Sequence, residues 1–173
     1  MRRALLRAAP LALLLLPAAV AGQAGATVTA DAVVVTTGMT LSTLQDLNFG
    51  SVIKGAATTV QPTAATAGTL QVTGSANAFV VISFTLPTQL TNIQALPGST
   101  MPISFNATSA RWNRANNNAA AGTPFNPAAG AVGRLGPPPN PNMYIWIGGT
   151  VNPAATAKPG IYQGNVIVSL IYQ

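Results

Sequence analysis

Apolar and polar positions alternate with period two over residues 161–172. Tyr162, Gly164, Val166, Val168, Leu170 and Tyr172 fall on one face. Ile161, Gln163, Asn165, Ile167, Ser169 and Ile171 fall on the other. That period predicts a strand with one buried face. Residues 27–36 repeat the pattern, with Val28, Ala30, Ala32 and Val34 on one side. A strand is predicted within residues 41–53, where Leu47, Phe49 and Val52 point inward around a bend at Gly50. A turn follows at Lys54-Gly55. Further strands are predicted at 56–60, 70–73, 79–86, 101–108 and 143–151. Val, Ile and Thr dominate them, and Gly or Pro closes most of them. No stretch after residue 26 has the periodicity of a helix.

Residues 106–142 break the rhythm. They contain Asn116-Asn117-Asn118, runs of Ala, several Gly and Pro137-Pro138-Pro139. The stretch is long for a connection in a compact domain, and its composition resists regular structure. It is read as a long loop, with room for one short strand at 132–135. Short strands separated by turn signals over residues 27–173 predict one all-β domain. Its architecture is an antiparallel, immunoglobulin-like β-sandwich with Greek-key links.

The first 26 residues stand apart. Arg2, Arg3 and Arg7 precede an apolar run from Leu11 to Val20, followed by small residues ending at Ala21 and again at Ala26. This is the layout of a secretory signal peptide, with cleavage after Ala21 or Ala26. The apolar run is shorter than the roughly 20 residues a bilayer span needs. The chain is therefore expected to be exported to the periplasm, cell surface or medium, without a membrane span after cleavage.

Composition narrows the chemistry. The 173-residue chain has no Cys and no His, and its two acidic residues are Asp31 and Asp46. A Ser-His-Asp triad, a Cys-His dyad, a common zinc site and a disulfide framework are all excluded by inventory. No enzyme activity, cofactor or metal is expected. Beyond the leader, Lys54, Arg111, Arg114, Arg134 and Lys158 are too few and scattered for a nucleic-acid footprint. Solubility must come largely from Thr, Asn, Gln and Ser.

Three segments then resemble known sequences. Gln45-Asp46-Leu47-Asn48-Phe49-Gly50, Tyr144-Ile145-Trp146-Ile147-Gly148-Gly149-Thr150-Val151 and Lys158-Pro159-Gly160-Ile161-Tyr162-Gln163-Gly164 occur in this order. Together they resemble an uncharacterised family of secreted bacterial β-sandwich domains. The last strand is also similar to that of spore-coat-U-like and chaperone–usher fimbrial subunits. Tyr172 is penultimate, and Gly160 stands fourteenth from the end. That second resemblance implies assembly through strand edges. Gly160, Tyr162, Val166, Val168, Leu170 and Tyr172 would form the acceptor side. Val28, Ala30, Ala32 and Val34 would form a donor strand. The implied partners are other protein subunits or a periplasmic chaperone. Against this stand the missing disulfide, and the small side chains and Asp31 of the donor segment, which suits equally the domain's own first strand.

Two functions follow as expectations. The first is an exported structural or pilus-like surface subunit acting through strand edges. The alternative is a free-standing secreted binding domain, with Trp112 in the 106–142 loop contacting a glycan.

Overall fold

The computed structural model describes residues 38–93 and 99–173. The predicted leader and the strand predicted at 27–36 lie outside these residues. Thirteen strands occur among the described residues, and no helix. They are β1 (Thr40–Gln45), β2 (Thr58–Val60), β3 (Gly68–Thr73), β4 (Phe79–Thr85) and β5 (Gln89–Asn92). Then come β6 (Thr100–Ser104), β7 (Ala110–Arg114), β8 (Thr123–Phe125), β9 (Ala131–Arg134) and β10 (Asn142–Ile147). The chain ends with β11 (Gly149–Val151), β12 (Tyr162–Gln163) and β13 (Ile167–Tyr172). The fold is all-β, and every pairing among these strands is antiparallel.

The first sheet has the order β1-β3-β10-β7-β8, the second β12-β5-β6-β11-β2, and the third β13-β4-β9. These orders are linked. β7, β10 and β3 are neighbours in the first sheet. Their chain continuations β6, β11 and β2 keep the same order in the second. β13 and β4 likewise continue into the paired β12 and β5. The second sheet therefore parts at one end into the other two, which face each other as a sandwich.

Alternation places the core. Val72 and Leu70 of β3, Met143 and Ile145 of β10, and Val80 and Ile82 of β4 turn inward and meet with Leu135. Phe84, Trp112, Phe125, Val168, Leu170 and Tyr172 pack around them. A second cluster joins Leu90, Met101, Ile103 and Val151, with Phe49, Val52, Phe105 and Tyr162 against it.

The predicted last strand is two strands. β12 joins the second sheet and β13 the third, with residues 164–166 between them. Its alternation nonetheless holds: the even positions from Val166 to Tyr172 are half-buried and the odd ones are exposed. The strand within 41–53 covers only its first part, although Phe49 and Val52 do face a core. β5 has no counterpart in the sequence reading. The stretch 106–142 is not one loop, because it contributes β7, β8 and β9. β9 matches the short strand expected near Val132.

Tyr172 ties the C-terminal strand to the opposite side of the sandwich. Its hydroxyl accepts a hydrogen bond from the Ser75 N–H at 2.9 Å, in the turn between β3 and β4. Gly74 leaves room for the ring, since a Cβ there would lie 2.3 Å from the hydroxyl oxygen. Tyr172→Phe removes an acceptor from a buried residue's backbone. It is expected to lower the unfolding free energy by about 1–3 kcal/mol. A urea midpoint that does not move would contradict this role.

Candidate functional site

The first and third sheets each end in a strand with a partner on one side only. Among the described residues β1 pairs with β3 alone, and β13 pairs with β4 alone. Both edges flank one groove of about 1270 Å³. Thr43 and Gln45 of β1 stand on one wall. Tyr162, Val166 and Val168 stand on the other. The floor comes from the second core: Leu90, Met101, Ile103 and Val151 all line it.

β1 shows why the groove is open. Register places Leu41 opposite Val72, on the inward face. Val72 is fully buried, yet Leu41 is 41% exposed. All six residues of β1 are exposed. No described strand lies beyond β1 to cover that inward face. A bulge between Thr43 and Gln45 interrupts its pairing with β3, a common device at sheet edges. Beyond β1 the chain turns through Asn48, whose side-chain oxygen accepts from the Gly50 N–H at 2.7 Å. That turn is the predicted bend, and it directs Phe49 and Val52 toward the groove floor.

The groove offers a ligand apolar contact and main-chain pairing. Its charged lining residues are Asp46, Lys54 and Lys158. Tyr162 is fixed at the rim, with its hydroxyl donating to the Lys158 carbonyl at 2.7 Å. Among the described residues no three potential metal-ligating side chains come together.

The structure brings Gly160, Tyr162, Val166 and Val168 together at this groove. Leu170 and Tyr172 pack farther along β13, against the first core. Gly160 sits on the side chain of buried Asn92. Val28, Ala30, Ala32 and Val34 lie outside the described residues. Trp112 is not a loop residue. It lies in β7, half-buried, and packs against the first core opposite Ile145. Trp146 is buried on the outward face of the first sheet. Its ring stacks with Tyr144, centroids 6.2 Å apart, and it pairs across the strand with Arg111. Residues of two loops, Thr63 to Ala65 and Asn117 to Ala120, meet over it around a smaller hollow. β1 overlaps the strand predicted within 41–53, but its place as a groove wall was not foreseen. Its one signal was Thr-Leu-Ser-Thr-Leu, a β-prone run preceding the Asp46 turn.

No curated protein matches this chain. The pattern of one protein family matches residues 39–172, from just before β1 to the end of β13, and so spans both groove walls and both cores. On that match the chain belongs to the DUF4402 family, described as a domain of unknown function.

Proposed function

We propose that the protein is an exported structural subunit that assembles with other protein subunits through its strand edges. One observation carries the reading: two edges with no further strand partner among the described residues flank a groove with an apolar floor. An extended segment laid there gains main-chain hydrogen bonds along an edge and pockets for alternate side chains. The likeness of the last strand to fimbrial and spore-coat-U subunits agrees with this use of β13. The segment suited to the groove is residues 27–36 of a neighbouring copy, with Val28, Ala30, Ala32 and Val34 turned inward. Export through the predicted leader puts such an assembly in the periplasm, at the cell surface or outside the cell.

The test is light scattering on the chain from Thr27, beside a chain from Thr37. Ordered multimers are expected from the first. The second is expected to stay folded and monomeric, and to bind an added peptide of residues 27–36. A folded monomer from Thr27 at all concentrations overturns the proposal. So does a chain from Thr37 that multimerises equally well.

The second reading, a binding domain working through Trp112, is weakened by the packing of that side chain on the core.

A further inference from the structure

The outward face of the third sheet carries exposed apolar side chains on either side of the Ser83–Ser169 pair, where an exposed sheet face is usually polar. Register sets Ile171 of β13 beside Val81 of β4, and Val81 beside Val132 of β9. The row crosses all three strands. Ile171 is 66% exposed, and Val132, Phe79 and Ile167 on the same face are each about half exposed. The outward face of the first sheet differs: its corresponding rows are Thr40, Thr73, Asn142 and Ser42, Gln71, Tyr144, Asn113. An exposed apolar patch confined to one face marks an interaction surface.

Charge identifies what it meets. The Arg134 guanidinium lies over the Phe79 ring, 5.1 Å from its centroid, and its Nε donates to the Asn77 carbonyl at 2.9 Å. Arg114 reaches the same residue, donating to the Asn77 side-chain oxygen, and its Nε donates to the Leu135 carbonyl at 3.1 Å. Arg134, paired with Phe79 on the outward face, is thus held at one corner of the patch, whereas Arg114, paired with core residue Met143, stands on the inward face of the first sheet. Asp46 is the single carboxylate among the described side chains, and it lines the groove. This face carries Arg134 and no carboxylate side chain. It complements a surface that is apolar below and anionic above. We propose that this face rests on an anionic lipid bilayer, with Ile171, Val81, Val132 and Phe79 at the acyl boundary and Arg134 among the headgroups. Binding of this kind combines buried apolar area with electrostatic attraction. The proposal does not rest on assembly through the groove, although Ile167 also lines it.

The test is co-sedimentation of the chain from Thr27, which contains both core clusters, with two kinds of vesicle. One is phosphatidylcholine mixed with phosphatidylglycerol; the other is phosphatidylcholine alone. Uptake is expected on the mixed vesicles, and it should fall on adding salt. The double variant Ile167→Thr, Ile171→Thr keeps β-branched side chains at exposed positions, so its urea midpoint should stay near that of the parent. Its partitioning should weaken at least about tenfold. Arg134→Gln should weaken it about fivefold. A parent chain that stays in the supernatant with mixed vesicles overturns the proposal. A double variant that binds as well as the parent overturns it too. A concentration-dependent dimer that the double variant abolishes, without vesicle uptake, overturns it in favour of self-association.

Discussion

Gly148→Ala is expected to lower the unfolding free energy by about 3 kcal/mol or more, at the upper end of what overpacking does. Gly148 is the residue between β10 and β11, where the chain leaves the first sheet for the second. Its N–H donates to the Ser109 carbonyl at 2.8 Å. A Cβ there would stand 2.1 Å from the Val60 carbonyl oxygen and 2.9 Å from the Pro62 nitrogen. Those obstacles are backbone atoms of a crossing segment, so no rotamer change relieves them. The strands on both sides would have to move apart. β10 is the centre of the first sheet, and its Met143 and Ile145 are core residues. The strain therefore reaches both clusters. With no Cys in the chain, no disulfide restrains the unfolded state. A domain stable by about 5–15 kcal/mol would lose a large share of that margin. Urea denaturation reads the loss directly. Gly38→Ala, where a Cβ meets nothing within 4 Å, is the control and should change little. Equal midpoints for the two variants would refute the account of the bend.

The same bend shows where legibility in the sequence ends. Residues 143–151 read as one strand because every position suits a sheet. The switch between sheets depends on what crosses at Gly148, and that neighbour, Val60, lies far away in the chain. β13 was readable for the opposite reason. One of its faces is buried by the fold, so alternation appears in its own residues: Val168, Leu170 and Tyr172 inward, Ile167 and Ile171 outward. β7 gave no such signal. Arg111 and Arg114 look like solvated loop residues, but the first donates to the Gly122 carbonyl and the second to that of Leu135. Those acceptors come from tertiary contacts that no local pattern encodes. β8 has only three residues, too few for a period to show. The candidate site divides in the same way. Its β13 wall follows from alternation. Its β1 wall was expected as part of a strand within 41–53, but it is exposed along its whole length and lacks the buried face that would have fixed its bounds and its place at an edge.

Gly160 was singled out by its distance from the C-terminus, as part of a surface for assembly. Its geometry gives it a structural duty as well. Its φ is 147°, a region that residues with a Cβ rarely adopt. A Cβ there would stand 2.2 Å from Nδ2 of Asn92, a side chain only 2% exposed. The neighbouring Ile161 carbonyl accepts from the Ile93 N–H at 2.9 Å, and β12 then pairs Tyr162 with Asn92. Gly160 thus sets the approach of the groove's far wall to β5. Gly160→Ala meets two penalties: about 1–3 kcal/mol of backbone strain, and about 1–3 kcal/mol for crowding a buried side chain. A total loss of about 2–6 kcal/mol is expected, read as a lower urea midpoint for the chain from Thr37, where assembly through residues 27–36 cannot contribute. Assembly of the chain from Thr27 should fail in parallel, because Tyr162 and Val166 leave the groove wall as the segment shifts. A variant that keeps the parent's midpoint but no longer multimerises would reverse this assignment. Gly160 would then act in assembly alone, and the contact with Asn92 would have no part in holding the fold.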